Sequence, residues 1–461
     1  MGKFKNLYFY LLIFLNQKPQ ANVKRMIKTK IPLHWLILFG MGAGIIFGLL
    51  AVLAGWQAFT IDWIKPWGTI FIRLLKLIAV PLIVVSLING ISNLNDISKL
   101  SRIGLKTISL FLVTTVIAIS IGLLVVNITR PGKLLPAEKA LEFQQRYADN
   151  VQRTPDQQTD NGPMQFIIDV VPDNIFRAMT ENTSMLQVIF FSVLFGIAMI
   201  FIPQEKTRPV KIFIESLNEI VLQMIHLIMK IAPYGVFALI AAITVEVAGD
   251  RIADTAALFG SLGLYALTVI IGLLLMVFVI YPIIISSLTL IGFKQFIKGL
   301  APAQLLAFST SSSAATLPVT MECCEENLGV KKEVSSFVLP LGATVNMDGT
   351  SLYQAVAAVF LAQIYGMDLS LGQQLTIILT ATLASIGSAA VPGAGMIMLV
   401  IVLGSVGIPT EGIALIFAVD RPLDMLRTVV NITGDSSIAC AVAHTENKLD
   451  EALIIENKEN L

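Results

Sequence analysis

The residues best suited to do chemistry lie near the C-terminus, in AVDRPLDMLRTVVNITGDSSIACAVA (418–443). Asp420, Arg421, Asp424, Arg427 and Asp435 stand there inside an apolar frame. On a helix, Asp420, Asp424, Arg427, Thr428, Asn431 and Asp435 fall on one face, within an arc of about 100°. At the centre of a lone membrane span each charge costs about 2.5–3.5 kcal/mol. Such a set must pair internally, face water or bind something. Arg427 can fork onto a carboxylate through two parallel hydrogen bonds. Asp424, three residues earlier on the same face, can accept an ammonium. A guanidinium beside a carboxylate suits an acidic amino acid, with Asn431 and Thr428 as further hydrogen-bonding groups. An internal Arg427–Asp424 ion pair that only stabilises a helix bundle suits the same residues, and this helix alone does not choose between the two.

Two earlier segments tilt the choice toward a ligand site. AFSTSSSAATLPVT (307–320) and ASIGSAAVPGAG (384–395) each carry Ser-Ala-Ala followed shortly by Pro. Each lies between apolar stretches of roughly 10–16 residues, too short to cross a bilayer alone. The pattern predicts two re-entrant helical hairpins with polar tips. Non-helical backbone at membrane depth is tolerated only where it is buried in protein or lines a cavity, and a matched pair of interrupted segments points to a transporter's site. Between them GATVNMDGTSLYQ (342–354) places Asn346, Asp348, Gly349 and Thr350 in an otherwise apolar helix. Asn, Asp and Gly weaken the helix there. A carboxylate with freed carbonyl oxygens is a hard ligand set for a small cation.

These residues need a scaffold, and the composition says which kind. Of 461 residues, 55% are hydrophobic and only 14% charged, against about 25% charged in a soluble domain. The chain is expected to be an all-α polytopic membrane protein. A net charge of +1 gives no reason to expect a nucleic-acid partner. His34, His226 and His444 are scattered and match no hydrolase, zinc-protease or phosphate-loop pattern, so no enzyme is expected. Cys323 and Cys324 adjoin glutamates but lack a metal-ligand spacing, and bystander thiols are the preferred reading. Apolar runs predict helices near 32–55, 69–92, 106–129, 167–202, 211–247 and 256–289. Lys and Arg cluster before the first span and in alternate loops thereafter, which places those loops and both termini in the cytoplasm. The polar stretch 133–166 reads as a disordered or variable loop on the other side. Gly40, Gly44 and Gly48 share one face of the first span, where helices can approach closely. Residues 1–25 do not fit the design, and initiation at Met26 is the preferred reading.

In order and spacing, SSSAATLPVT, NMDGT, SIGSAAVPGAG and DRPLDMLRTVVNITGD resemble the glutamate/aspartate transporter family, the dicarboxylate/amino acid:cation symporters. The likeness covers about residues 30–445. It implies eight transmembrane helices plus two re-entrant hairpins, inverted repeats, an elevator-type fold and a homotrimer in the cell membrane. The implied division is a cytoplasmic N-terminal segment (1–30), scaffold helices one and two (31–105), transport-domain helix three (106–130), an extracellular loop (131–166), scaffold helices four and five (167–250), a transport-domain core (251–445) and a cytoplasmic tail (446–461). The implied function is import of L-aspartate or L-glutamate coupled to sodium ions, with no other cofactor. Proton coupling and a C4-dicarboxylate symporter are the alternatives.

Carried residue by residue, the resemblance implies that Ser313, the Ser311 carbonyl and Asn431 meet the substrate α-carboxylate. Asp424 would take the amino group, Arg427 the side-chain carboxylate, with help from Thr350 and Thr428. Val391 and Gly395 would close over the ligand. One sodium site would use carbonyls of Gly342, Asn346 and Asn431 with the Asp435 carboxylate. A second would use carbonyls of Thr344, Ser385, Ile386 and Ser388. A third would use Thr114, Thr115, Asn346, Asp348 and the Phe111 carbonyl. Some members carry an arginine where this chain has Ser311 or Met425; here Arg421 is the candidate replacement. Arg427 argues against a neutral amino acid, whose binding would leave its charge unmatched. Asp424 argues against a plain dicarboxylate, beside which it would sit unpaired.

Overall fold

The computed structural model describes residues 33–92, 97–135, 168, 171–180, 184–248, 252–386, 390, 392–450 and 452–454. The helices are α1 (Leu33–Leu53), α2 (Lys65–Ser92), α3 (Ile97–Thr129), α4 (Met185–Phe201), α5 (Gln204–Ala248), α6 (Ile252–Leu275), α7 (Tyr281–Leu288), α8 (Phe293–Thr310), α9 (Ser313–Glu322), α10 (Lys332–Val345), α11 (Asp348–Ile364), α12 (Leu371–Ile386), α13 (Ala394–Ser405) and α14 (Ile413–Thr445). A short helix, Ile175–Thr180, precedes α4. No strand occurs among the described residues, apart from one isolated bridge between Val330 and Leu449.

Five helical stretches among the described residues are long and apolar enough to cross a membrane: 35–53, 57–92, 102–134, 204–246 and 256–288. They overlap five of the six expected spans; the second, third and fifth of those begin earlier than expected, and the first is shorter at both ends. The second begins at residue 57 because Gln57–Phe59 and the π-turn Thr60–Ile64 run straight into α2. The stretch 167–202 appears as Ile175–Thr180 and then α4, and the polar junction 181–183 lies outside the described residues. Residues 1–32 and most of 133–166, on which the start-site and loop expectations fall, also lie outside them.

All four tryptophans belong to 35–67 and are at least half exposed, Trp63 and Trp67 most of all at 69% and 66%. Large exposed rings at the end of an apolar helix suit a membrane–water boundary. The small-residue face of α1 packs on α5. A Cβ at Gly40 would meet the Pro233 carbonyl oxygen at 2.4 Å, and one at Gly48 would meet Thr244 Cβ at 2.6 Å. The two backbones touch where only glycine fits, as the four-residue spacing predicts.

Each interrupted segment holds a pair of short helices among the described residues. α8 and α9 make one helix–tip–helix unit, α12 and α13 another, and α10 and α11 are one span broken at Asn346–Met347. α8, α9, α10, α11, α3 and α7 all pack around α14. One large apolar cluster surrounds α2, α5, α11 and α13, and a second gathers α8, α10 and the end of α14. Cys323, Cys324 and Cys440 are free and buried in this second cluster. At the end of α14 Glu446 binds Lys106 and Arg102 of α3, and the Asp450 amide donates to the Gly329 carbonyl.

Candidate functional site: one face of α14 between two hairpin tips

The six residues expected on one face of α14 are all buried, none more than 7% exposed. A face so polar is buried only if its groups are satisfied. Arg427, with no exposed surface, is the hub. Its Nη2 donates to Asp424 Oδ1 at 2.7 Å and stands 3.0 Å from Asp420 Oδ1, an ion pair that leaves that oxygen without a hydrogen-bond partner. Its guanidinium carbon stands 3.8 Å from the centre of the Tyr353 ring, a cation–π distance. Its Nε and Nη1 have no hydrogen-bond partner although both are buried. An arginine carries five N–H donors in a planar group, and here Nε and Nη1 are left able to donate to an anion. Gly395 keeps Nη1 clear, since a Cβ there would stand 3.4 Å from it and 3.0 Å from Thr350 Cγ2.

Both hairpin tips come to this face. Gly393 takes a left-handed backbone (φ +81°), which costs glycine nothing, and its amide donates to Asp424 Oδ2 at 3.1 Å. Ser311, at the end of α8, is also left-handed (φ +52°). For serine this is uncommon, and here it closes α8 as its left-handed C-cap. Its buried Oγ is unpartnered. The Ser312 hydroxyl caps α9 by accepting from the Ala315 amide at 3.2 Å, and donates to the Ala390 carbonyl at 2.7 Å, so it joins the two tips. Ser313 is buried as the first residue of α9. Asn431 accepts from the Gly349 amide at 2.8 Å and donates to the Thr350 hydroxyl at 3.3 Å, which ties α14 to the break in α11. Thr428 spends its hydroxyl on the Asp424 carbonyl at 2.8 Å. Val391 and Ser388 lie outside the described residues.

Two turns along α14 a second group forms around two carboxylates. Asp435 Oδ1 accepts from the Asn346 amide nitrogen at 2.9 Å. A Cβ on Gly342 would lie 2.5 Å from that same oxygen, so the α10 backbone touches the carboxylate. Asp348 accepts from the Thr115 hydroxyl at 2.9 Å and from the Tyr281 phenol at 2.9 Å. Thr114 lies within 3.3 Å of both Asn346 Oδ1 and Asp348 Oδ1, and 3.1 Å from the Phe111 carbonyl. The structure thus brings together Gly342, Asn346 and Asp435 of the first expected cation site and the residues of the third, while Asn431 bonds Gly349 and Thr350. Both sets fit a small hard cation: carboxylates, an amide and hydroxyls, held where the α10–α11 break frees backbone carbonyls. For the second set, Ser385 and Ile386 end α12 and Thr344 stands one residue before the end of α10. No hydrogen bond among the described residues joins them.

Three participants, Tyr281, Tyr353 and Asp420, were not assigned roles from sequence, and Arg421 was expected only as the replacement for a family arginine. Tyr281 follows the π-turn Met276–Ile280, which resets the helical register and turns the phenol onto Asp348. Tyr353 lies under the guanidinium of Arg427. Asp420 shares Arg427 with Asp424. Arg421 Nη1 stands 3.2 Å from Asp424 Oδ2. Tyr281 precedes a proline in an apolar run, a weak signal that only the fold makes specific.

The chain matches the sodium:dicarboxylate symporter family over residues 33–445. It is 39% identical to a proton/sodium-glutamate symport protein of Geobacillus stearothermophilus, over 92% of this chain and 96% of that one. It is 36% identical to a proton/glutamate-aspartate symporter of Escherichia coli, over 92% and 95% of the two chains. It is 37% identical to the mouse excitatory amino acid transporter 4, over 83% of this chain and 77% of that protein. Likeness along the whole length of the helical core, to bacterial and animal transporters alike, leaves one conclusion: the chain belongs to the sodium:dicarboxylate symporter family.

Proposed function

We infer that the protein is a secondary active symporter that imports an acidic amino acid, L-aspartate or L-glutamate, together with sodium ions. The observation that carries this reading is the buried, half-satisfied fork of Arg427 beside Asp424, enclosed by both hairpin tips. The fork receives the side-chain carboxylate. Asp424 receives the ammonium. The Ser311–Ser313 tip and Asn431 receive the α-carboxylate. Gly395 and Val391 cover the ligand. Asp435, Asp348 and their neighbours hold the coupling cations, and Thr344, Ser385, Ile386 and Ser388 form the second sodium site. A neutral amino acid would leave the buried Nε and Nη1 of Arg427 without an acceptor, a cost of about 1–3 kcal/mol.

The working architecture is eight spans and two hairpins in a multi-pass cell-membrane homotrimer with both termini cytoplasmic. α1, α2, α4 and α5 form the scaffold, and the other helices move as one transport domain. The cross-domain contacts favour an inward-shifted arrangement. Glu411, just before α14, binds Lys76 at 2.9 Å. Lys76 stands eleven residues into α2, about 16 Å along its axis. The tip end of α12 reaches the far end of the same helix, where a Cβ on Gly90 would stand 3.8 Å from the Ile386 carbonyl oxygen.

Proton coupling is the second reading, because the similar bacterial proteins bear names that include the proton. One experiment separates the two. Protein in liposomes is given labelled L-aspartate under an inward sodium gradient, then under a proton gradient alone, with unlabelled glutamate or alanine as competitor. Sodium-dependent uptake blocked by glutamate and untouched by alanine is expected. Uptake driven by protons alone would keep the substrate and overturn the sodium sites, and competition by alanine would overturn the role of Arg427.

A further inference from the structure

Away from the polar face of α14, a cavity of about 180 Å³ lies between α2 and α5 on one side and the end of α11 and the start of α14 on the other. Three cations and two carboxylates line it: Lys65, Arg73 and Lys76 of α2, Glu246 of α5, and Glu411. Both carboxylates are already paired. Lys65 Nζ stands 2.5 Å from Glu246 Oε1, and Lys76 Nζ stands 2.9 Å from Glu411 Oε1. No ion pair among the described residues engages Arg73, which is exposed. α2 belongs to a stretch long and apolar enough to cross a membrane. An arginine within such a stretch is costly unless it meets water or an anion, and it marks a functional place by default. Lys65, Thr69, Arg73 and Lys76 recur at helical spacing, so they share one side of α2. Three cations against two carboxylates leave the wall one positive charge without a counter-charge.

The rest of the wall includes the apolar side chains of Ile72, Leu239, Ile243 and Leu415. An apolar lining with a few placed polar groups is the usual make-up of a small-molecule site, and a cavity of about 150 Å³ is large enough for benzene. An apolar ring that bears one acidic group matches this wall in size, in surface and in charge. A second acidic amino acid matches it less well, because its ammonium would face three cations while both carboxylates are taken. We propose that this cavity is a second ligand site, for a small apolar monocarboxylate, with Arg73 as its anchor. In the proposed architecture α2 and α5 belong to the scaffold, and α11 and α14 to the moving domain. An occupant wedged between them holds the two in the arrangement described here and slows transport without touching the substrate site. That consequence rests on the proposed function, whereas binding at Arg73 does not.

The test uses 4-fluorobenzoate as probe, followed by fluorine NMR with the purified full-length protein. The wild type is expected to bind it, and to bind the neutral 4-fluorobenzamide far more weakly. Arg73→Gln is expected to weaken 4-fluorobenzoate about tenfold or more, as loss of a charged hydrogen-bond partner implies, and Arg73→Lys to restore it in part. Saturating L-aspartate with sodium is expected to leave the probe bound. In liposomes with the probe at equal concentration on both faces, the maximal rate of aspartate uptake should fall and the half-saturating aspartate concentration should stay unchanged, with Arg73→Gln insensitive. Displacement of the probe by aspartate would place it at Arg427 and overturn the proposal. So would equal affinity in Arg73→Gln and wild type. Amide binding as tight as the acid, or no binding of the acid at all, would overturn it without any variant having to fold. Binding at Arg73 that leaves the uptake rate unchanged would overturn the wedge between the domains. Failure of the untreated wild type to take up aspartate or glutamate would instead overturn the underlying amino-acid reading.

Discussion

At one end of the polar face of α14, Asp420 and Asp424 share the guanidinium of Arg427, and Asp424 also meets Arg421. Two turns further on, Asp435 bonds Asn346, and the neighbouring Asp348 bonds Thr114, Thr115 and Tyr281, all neutral donors. No lysine or arginine among the described residues is salt-bridged to Asp348 or Asp435. The first group balances its own charge. The second holds two buried carboxylates that hydroxyls and an amide can orient but not neutralise, and an uncompensated buried charge is costly. The difference assigns the work of the two ends. On the proposed function, the balanced end exchanges internal ion pairs for those of a zwitterionic ligand, and the unbalanced end takes up cations from solution. One rigid helix carries both, which is the simplest way to make the binding of one depend on the other.

The largest expected effect comes from removing the hub of the balanced end. Arg427→Ala leaves Asp420 and Asp424 face to face without their shared cation, a change of about 3–5 kcal/mol for a buried pair. Calorimetry should show aspartate binding weakened by more than about a hundredfold, and the thermal midpoint should fall. At the unbalanced end Asp435→Asn keeps the shape and removes the charge. The sodium concentration that half-saturates aspartate binding should rise by about tenfold or more, with little change in stability. Gly342→Ala acts on the same carboxylate from the other side, since its Cβ would lie 2.5 Å from Asp435 Oδ1. A smaller rise in that sodium concentration would place the carboxylate's position, as well as its charge, in the cation site. Tyr281→Phe removes one of the donors to Asp348 and is expected to shift sodium dependence a few-fold, as loss of one hydrogen bond of about 1 kcal/mol implies.

A last, small effect lies outside the membrane. Lys106, with Arg102, holds the Glu446 carboxyl below the ordinary glutamate range. A carboxylate with a lowered pKa stabilises the fold above its unfolded pKa and loses that contribution as pH falls through its folded one. Glu446→Gln should therefore lower the thermal midpoint by a degree or two at neutral pH. The gap from wild type should close in acid, below about pH 4. A gap that persists there would mean the side chain acts through packing.

Much of this was legible in the sequence for one reason: polar residues in an apolar frame are expensive, so each must have a use. The shared face of Asp424, Arg427, Asn431 and Asp435, the paired hairpins and the break at Asn346–Asp348 all follow from that cost. Pairing across elements was less legible. Tyr281 and Tyr353 look like ordinary span residues until a π-turn and a helix crossing bring them to Asp348 and Arg427. Arg421 sits off the common arc, and only its side-chain reach shows that it returns to Asp424. The run 167–202, which hydropathy reads as one helix, holds two among its described residues, Ile175–Thr180 and α4.

The central claim is that the two ends of α14 are linked, with substrate at one and cations at the other. The most direct test is the affinity of purified protein for L-aspartate as a function of sodium concentration, for the wild type and for Asp435→Asn. The wild type should bind aspartate at least about tenfold more tightly for each tenfold rise in sodium below saturation, and the variant should lose most of that slope. Equal aspartate affinity in sodium and in choline would contradict the linkage, and an unchanged slope in Asp435→Asn would contradict the assignment of cations to this end of α14.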